Sequence, residues 1–284
     1  TPPPRTQDAP PATAAVTNAA GQSVLYTIGG GLRASFFKPI RRVLAYDVAT
    51  DSWKGRSSLP EALRDLNGAG VIGGRIYVAG GRAADWQTKG ANATLYVYNT
   101  ATNSWARKRD MPAGGFGGTT GVINGKLYVV TATAAGVAFF RYTPATDRWA
   151  KLPAPAYSGT LGPYPPGLVG AVLKDKLYLA GTELAVYDPV TNRWTTKAPP
   201  PPRLSVTGAG LEGKLYLMGQ QIDPNGTPSR RVTLAYDPDG DSWSERTPPP
   251  VIGGDWAASK VFLNGEPRIQ VLAMWGGRNL QYTE

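Results

Sequence analysis

The side chains of this sequence that could do chemistry are arginines, carboxylates and aromatic residues, because histidine and cysteine are both absent. Without a thiol the chain forms no disulfide, iron–sulfur centre or thiolate zinc site, and it has no cysteine nucleophile. Without an imidazole it has no histidine general base and cannot assemble a Ser-His-Asp triad. The sequence therefore predicts no metal site and no cofactor, and it favours binding over catalysis.

The charge of the chain indicates what it would bind. Lysine and arginine number 30 against 20 aspartate and glutamate residues, which gives a formal net charge of +10. Such a surface attracts acidic partners, either a protein segment or an anionic glycan. No nucleic-acid recognition motif accompanies the charge, so nucleic acid is not an expected partner. No apolar run approaches the length of a membrane span.

A repeat sets where these side chains can lie. A segment that begins with tyrosine and ends with tryptophan occurs five times, at a spacing of roughly fifty residues. The five copies are YDVATDSW (Tyr46–Trp53), YNTATNSW (Tyr98–Trp105), YTPATDRW (Tyr142–Trp149), YDPVTNRW (Tyr187–Trp194) and YDPDGDSW (Tyr236–Trp243). Each copy is typical of two strands joined by a short turn.

A second element precedes each copy and occurs once more towards the C-terminal end, which makes six. It consists of a strand of small residues, a turn such as Asn-Gly or Gly-Gly, and a strand that alternates aliphatic and aromatic residues. The six strands of small residues are predicted to begin near residues 13, 68, 118, 168, 206 and 257. No stretch of helical length shows a 3.6-residue period with caps, so we expect very little helix.

A diglycine after a hydrophobic strand, followed by the tyrosine and the tryptophan, resembles the kelch motif. The diglycines are Gly29–Gly30, Gly80–Gly81 and Gly276–Gly277. The middle copies depart from the motif, with Thr131–Ala132, Gly181–Thr182 and Gly219–Gln220 at this place. The resemblance implies an all-β propeller of six four-stranded antiparallel blades, with residues 1–284 as a single domain. It also implies that the tryptophans and tyrosines pack between blades.

The last blade is expected to be incomplete or to be closed by N-terminal residues. The sequence of Thr1–Pro4 repeats that of Thr247–Pro250, which follows the tryptophan strand of the fifth blade. This repetition predicts an outer strand for the sixth blade upstream of Thr1, paired with the strand near Gln281–Glu284, so that the closed ring has no exposed edge. We therefore expect the extracytoplasmic part of a longer bacterial protein, secreted or tethered to a membrane through its N-terminal side.

By the kelch pattern, loops between second and third strands share one rim with the loops between blades. Short turns occupy the opposite rim, so a ligand is expected on the long-loop rim. Arginine and aromatic residues, which are enriched in binding hot spots, fall in these loops. The predicted ligand-binding residues are Arg33, Phe36, Phe37, Arg64, Arg82, Trp86, Phe116, Tyr157, Tyr164, Arg203, Arg230, Asp255, Trp256 and Arg278.

Structural roles stay open for several of these residues. Arg64 and Arg203 occupy turns between blades, where an arginine can hold loop carbonyls instead of a ligand. Trp86 and Trp256 lie outside the repeat register, so packing explains them less well than a binding role does. Phe36 and Phe37 could anchor a long loop.

We interpret the chain as a monomeric, non-catalytic domain that binds a protein segment or an anionic glycan. The alternative is a carbohydrate-active enzyme, because the kelch resemblance extends to galactose oxidase and sialic-acid mutarotases. The copper site of galactose oxidase uses a cysteine-linked tyrosine and histidines, which this chain cannot supply. Mutarotation needs an acid–base pair and an anion-binding arginine, which Glu61, Asp65, Glu183 or Asp255 with Arg203 could provide.

Overall fold

The structure is a computed structural model that describes residues 11–32, 38–156, 168–201, 204–222, 228–248, 256–273 and 278–282. These residues form antiparallel β-strands and one short helix. The strands assemble into five four-stranded sheets, one three-stranded sheet and a two-stranded ribbon. None of the helical structure in this part of the chain is long and apolar enough to cross a membrane.

The strands follow one another around the molecule in chain order. Blade 1 contains β1 (Ala12–Thr17), β2 (Ser23–Ile28), the ribbon of β3 (Gly31–Leu32) and β4 (Lys38–Pro39), then β5 (Val43–Asp47) and β6 (Ser52–Gly55). Blade 2 contains β7 (Ala69–Ile72), β8 (Arg75–Ala79), helix α1 (Trp86–Lys89), β9 (Leu95–Asn99) and β10 (Ser104–Lys108). Blade 3 contains β11 (Phe116–Ile123), β12 (Lys126–Thr133), β13 (Gly136–Thr143) and β14 (Arg148–Leu152).

The second half of the chain repeats this arrangement. Blade 4 contains β15 (Val169–Leu173), β16 (Lys176–Ala180), β17 (Leu184–Asp188) and β18 (Arg193–Lys197). Blade 5 contains β19 (Leu204–Leu211), β20 (Lys214–Ile222), β21 (Pro228–Asp237) and β22 (Ser242–Arg246). The three-stranded sheet, here sheet 6, contains β23 (Trp256–Leu263), β24 (Glu266–Ala273) and β25 (Arg278–Tyr282).

The sheets form a closed ring around the first strand of each. Strand β23 of sheet 6 contacts β19 of blade 5 on one side and β1 of blade 1 on the other. At this closure the hydroxyl groups of Ser259 and Thr13 lie 2.9 Å apart, and the Phe262 N–H donates to Ser23 Oγ at 2.7 Å. A cluster of buried apolar residues fills each interface between neighbouring sheets, including the closure.

The number of complete blades differs from the sequence expectation. The sequence predicts six blades, the last one incomplete or closed by N-terminal residues, but the described residues form five four-stranded blades, and β23–β25 make a sheet of three strands. The reason lies in the repeat: the Tyr-to-Trp segment supplies the third and fourth strands of a blade, and it occurs only five times.

The first two strands of most sheets meet in tight hairpins. Both central residues of each turn have a positive φ, as type I′ turns require. These pairs are Gly73–Gly74, Asn124–Gly125, Lys174–Asp175, Glu212–Gly213 and Asn264–Gly265. The turns between third and fourth strands lie at the same end of the ring, because the sheets are antiparallel meanders. We call this end the hairpin rim, and the opposite end the loop rim.

The tyrosine of each repeat closes the turn between the third and fourth strands. Its hydroxyl donates to an Asp or Asn Oδ1 five residues later, whose backbone is left-handed with φ between 44° and 55°. The pairs are Tyr46–Asp51, Tyr98–Asn103, Tyr142–Asp147, Tyr187–Asn192 and Tyr236–Asp241. Asp and Asn suit this position because they tolerate a positive φ better than most side chains do.

The tryptophan of each repeat bonds to the preceding blade. Its indole Nε1–H donates at 2.8 Å to a carbonyl that lies four residues beyond the preceding tryptophan. The described pairs are Trp105–Ser57, Trp149–Arg109, Trp194–Pro153 and Trp243–Ala198.

The same acceptor residues also bond through their backbone N–H groups. Those of Ser57, Arg109 and Ala198 donate to the turn Asp or Asn of the next blade, at 2.9, 3.0 and 2.9 Å. We call this pair of hydrogen bonds the inter-blade clamp. Pro153 lacks an N–H, so the clamp between blades 3 and 4 has only the tryptophan bond.

Replacing Trp105 by alanine should lower the free energy of unfolding by about 3 kcal/mol, because a half-buried indole and its hydrogen bond to Ser57 are both lost. Denaturation with urea measures the change. Val190→Ala is the control, since the Val190 side chain is 92% exposed and its removal should change stability very little. Similar values for the two variants would contradict the packing role of the tryptophan.

The clamp carboxylates should make the fold sensitive to acid. The Tyr142 hydroxyl and the Arg109 N–H lower the pKa of Asp147, and the Ala198 N–H and the Tyr236 hydroxyl lower the pKa of Asp241. A carboxylate with a lowered folded pKa stabilises the protein above its unfolded pKa, and this contribution is lost as pH falls through the folded value.

The double variant Asp147→Asn, Asp241→Asn should therefore lose less stability than the wild type between about pH 4 and pH 2. At neutral pH it should differ little, because Asn103 shows that asparagine can accept the same two hydrogen bonds. Urea midpoints measured across this pH range test the idea. Parallel acid losses in the two proteins would mean that these carboxylates do not control acid stability.

Candidate binding site on the loop rim

The connections on the loop rim differ greatly in length. Blade 2 has a long connection between β8 and β9 that includes α1, and another long segment joins β6 to β7. In blade 3, by contrast, β12 and β13 meet in a tight turn between Thr133 and Gly136, and β16 and β17 of blade 4 are also closely joined. The connection between the second and third strands is therefore short in these two blades. The described long loops converge beside blades 1 and 2.

Arg82 lies at the centre of this region and is held firmly. Its side chain is only 3% exposed, and Nε and Nη2 donate to Asp65 Oδ2 at 2.8 and 2.5 Å. Its guanidinium carbon lies 4.4 Å from the centroid of the Phe116 ring, a cation–π distance. The Arg82 and Arg64 backbones exchange two hydrogen bonds, which joins the blade 2 loop to the loop from blade 1. The structure therefore gives Arg82 a structural role.

Arg64 shares the same carboxylate but is held less tightly. Its Nη1 lies 3.1 Å from Asp65 Oδ2, and its side chain is 15% exposed. Two guanidinium groups thus converge on one carboxylate oxygen and leave one net positive charge. Of the two arginines, Arg64 is the one with access to solvent, so it can offer further N–H groups to a ligand.

The local backbone explains why these groups meet. Asp65 has a φ of 50°, and its carbonyl accepts a hydrogen bond from the Gly117 N–H at 2.9 Å. Gly81 has a φ of 102°, and a Cβ there would lie 3.0 Å from the Arg64 carbonyl oxygen. A glycine is required at this position both for its dihedral angle and for the close approach of the two loops. The second glycine of the blade 2 diglycine thus brings Arg64 and Arg82 together.

A buried asparagine that sequence reasoning missed connects the segments next to Arg64 and Arg82. Asn67 is fully buried and donates through Nδ2 to the carbonyls of Ala79 and Gly115. Its Oδ1 accepts from the Gly118 N–H at 3.1 Å and from the Thr131 hydroxyl at 2.7 Å. Thr131 replaces the first glycine of the motif in blade 3, and this departure from the diglycine was the available signal.

The carboxylates considered for acid–base chemistry are differently placed. Asp65 is occupied by two arginines. Glu61 accepts a hydrogen bond from Asn92 Nδ2 at 2.8 Å. Burial raises the pKa of the Tyr96 hydroxyl, and the negative charge of Glu61 raises it further. Glu183 lies in the short connection of blade 4, where its carbonyl accepts the Gly181 N–H. Asp255 and Arg203 lie outside the described residues.

The other predicted ligand-binding residues fall into three groups. Phe116 and Arg230 belong to strands β11 and β21 instead of loops, and Arg230 forms an ion pair with Glu245 and a hydrogen bond to Gln221. Trp86 lies in α1, while Trp256 and Arg278 begin β23 and β25 at the loop rim. The predicted residues outside the described part of the chain are Arg33, Phe36, Phe37, Tyr157, Tyr164, Arg203 and Asp255.

The blade 2 region carries a recognisable family signature. The Kelch motif family model matches residues 64–112, which run from Arg64 through blade 2. Kelch-like protein 23 of Mus musculus is 26% identical over 242 residues, which cover 80% of this chain and 40% of that protein. Kelch-like protein terF of Aspergillus terreus is 25% identical over 249 residues, covering 77% of this chain and 52% of that protein.

The fold has a counterpart among solved structures. The structure of YjhT superposes with a TM-score of 0.66 at 17% sequence identity, and the match covers 97% of this chain and 94% of that one. This likeness shows the fold. The chain spans only 40% of the length of the Kelch-like protein 23 sequences that it matches.

The two arginines at Asp65 should respond differently to truncation. Arg82→Ala should destabilise the protein by about 3 kcal/mol, because it removes a buried partner of Asp65 and the contact with Phe116. Arg64→Ala should cost about 1 kcal/mol, because its side chain makes one contact with Asp65, which keeps both hydrogen bonds from Arg82. Urea denaturation of both variants provides the comparison. Equal losses would refute the division into a structural and an accessible arginine.

Proposed function

We propose that this chain, which belongs to the kelch-repeat β-propellers, is a protein-binding domain that holds a carboxylate-bearing segment of its partner against Arg64 on the loop rim. The observation that carries the proposal is the convergence of Arg64 and Arg82 on one oxygen of Asp65, which leaves a net positive charge at an accessible guanidinium.

The chemistry of Arg64 favours a carboxylate as its ligand. A guanidinium presents N–H groups in a planar fork that matches a carboxylate in a two-point hydrogen bond. Arg82 already keeps Asp65 in place through two contacts, so a ligand carboxylate can bind Arg64 while Asp65 stays where it is. The net charge of the whole chain, +10, draws acidic segments towards the site.

A protein partner fits the described rim better than a glycan does. Kelch domains generally bind proteins. Sugar rings stack on exposed aromatic faces, and here Arg82 covers one face of the Phe116 ring. A peptide carboxylate, by contrast, needs only the Arg64 guanidinium and hydrogen bonds from the loop backbone around it.

The ring that carries this rim acts, in our proposal, as a six-bladed propeller with sheet 6 as its sixth blade. Support comes from the contacts of β23 with both β19 and β1, and from the apolar clusters on both faces of sheet 6. The extracytoplasmic location, the bacterial origin and the monomeric state stay predictions from the sequence.

Selection of peptides from a random display library on the immobilised domain tests the function. The selected peptides should be enriched in Asp and Glu, and Arg64→Ala should weaken their binding at least about tenfold, the loss of one charge-assisted contact. Arg148→Ala is the matched control, because it removes one positive charge from the exposed outer strand β14 and should leave affinity within about twofold.

Added salt should weaken binding to the wild type more than binding to Arg64→Ala, since an exposed ion pair is screened. Peptides without acidic residues, or equal affinities for wild type and Arg64→Ala, would refute the proposal. The melting temperature of Arg64→Ala, measured alongside, separates loss of binding from loss of fold.

A further inference from the structure

The outer surface between blades 2 and 3 carries three cations around the inter-blade clamp. They are Lys108 and Arg109, which follow the tryptophan of blade 2, and Lys151, which follows the tryptophan of blade 3. All three side chains are exposed, and within the described part of the chain none forms an ion pair with a carboxylate. We call this group the blade 2–3 seam. It lies beside the outer strands β10 and β14, away from Arg64 on the loop rim.

Arg109 is fixed in place by both its backbone and its side chain. Its N–H donates to Asp147 Oδ1 at 3.0 Å, and its carbonyl accepts the Trp149 indole at 2.8 Å. Its Nε donates to the Asp147 carbonyl at 2.9 Å. The guanidinium is therefore oriented through Nε, and its two Nη groups remain for a ligand.

The two lysines face the same seam. Side chains alternate between the two faces of a strand, so Lys151 shares a face of β14 with Trp149, which packs against blade 2. Lys108 lies on the face of β10 opposite to Trp105, which packs against blade 1, and therefore faces blade 3. The positive charges of Lys108 and Arg109 both lower the pKa of Asp147, which agrees with this placement.

The repeat provides an internal comparison. The positions equivalent to Lys108, Arg109 and Lys151 in the seam between blades 3 and 4 hold Leu152, Pro153 and Thr196. In the seam between blades 4 and 5 they hold Lys197, Ala198 and Glu245, and Lys197 lies 3.7 Å from Asp241. In the seam between blades 1 and 2 they hold Arg56, Ser57 and Arg107, and Arg107 is paired with Asp110.

The clamp itself needs none of these cations. Ser57, Pro153 and Ala198 make the tryptophan bond through backbone groups alone, as Arg109 does. Charged residues on an outer strand also discourage edge-to-edge pairing, but that role does not require an arginine whose Nε is bonded to the next blade. The cations of the blade 2–3 seam therefore remain available to a ligand.

We propose that the blade 2–3 seam binds a phosphate monoester, carried by a phosphorylated serine or threonine of a partner protein. The three cations and the Asp147 carboxylate sum to a charge of about +2, which matches the charge of about −1.5 to −2 on a phosphorylated side chain at neutral pH. Two ammonium groups and the Nη donors of a fixed guanidinium supply N–H groups for the three terminal oxygens of such a group. The site is independent of Arg64.

The Trp149 indole gives a local readout of the site. Its Nε1–H bonds to the Arg109 carbonyl, and the Trp105, Trp194 and Trp243 indoles make the same bond in the other seams. In ¹H–¹⁵N spectra, a short peptide with one phosphoserine should shift the Trp149 indole signal saturably at constant ionic strength. The other three indole signals should stay in place, and the same peptide with unmodified serine should produce no shift.

Two double variants that each remove two positive charges provide a second test. The double variant Arg109→Ala, Lys151→Ala should weaken phosphopeptide binding at least about tenfold, since two charge-assisted contacts are lost. Arg148→Ala, Arg193→Ala removes two positive charges from exposed positions just before two tryptophans, and it should retain the affinity within about twofold. Both variants keep the backbone groups of the clamp.

Three outcomes would overturn the proposal. One is an equal shift of the indole signals of all four clamp tryptophans, which would report a general ionic effect. Another is an equal loss of affinity in the two double variants. The third concerns the source of the phosphate: inorganic phosphate, or vesicles that contain phosphatidic acid, binding more tightly than the phosphopeptide would rule out a protein partner.

Discussion

The hydrogen bond from a tryptophan indole to the carbonyl of the preceding blade sets the register of this propeller. A blade buries its two faces only against its neighbours, so apolar contact alone would let adjacent sheets slide past one another. The indole removes that freedom, because its single N–H must reach one carbonyl four residues beyond the preceding tryptophan. The turn Asp or Asn adds a second bond to the same residue where an N–H is present.

This fixed register determines which residues meet on the loop rim. Once Trp105 holds Ser57, the chain that follows must cross from blade 1 to blade 2 along the loop rim. That crossing brings Arg64 and Asp65 against the diglycine of blade 2, where Gly81 leaves space for the Arg64 carbonyl. The candidate site is thus a product of inter-blade geometry, and its charge balance depends on Asp65 serving two arginines.

Local sequence patterns predict the repeating parts of the fold well. The Asn-Gly and Gly-Gly turns adopt the positive φ pairs that such dipeptides favour, and the Tyr-to-Trp segments become third and fourth strands. The sequence predicted six blades with an incomplete last one, but the described residues form five four-stranded blades, because only five copies of the Tyr-to-Trp segment supply third and fourth strands. Thr131 and Ala132, which stand in place of the diglycine in blade 3, continue β12, so the connection from β12 to β13 is short.

The site was less accessible to sequence reasoning. Arg64 and Arg82 both follow from the loop pattern, but only coordinates show that one is buried and the other accessible. Asn67 gives no signal by itself, because its four hydrogen bonds join segments that are far apart in the chain. The blade 2–3 seam is visible only when two outer strands are aligned across the clamp.

Pro153 makes the hydrogen bonding between neighbouring blades unequal around the ring. Of the four described clamps, the one between blades 3 and 4 has a single hydrogen bond, because proline has no N–H to offer Asn192. Local opening of a closed ring separates two neighbouring blades, and it is favoured where the fewest interactions must break. Blades 3 and 4 are thus joined at their outer edges by one clamp hydrogen bond where the other described pairs have two, so their cohesion depends more heavily on the apolar cluster between them.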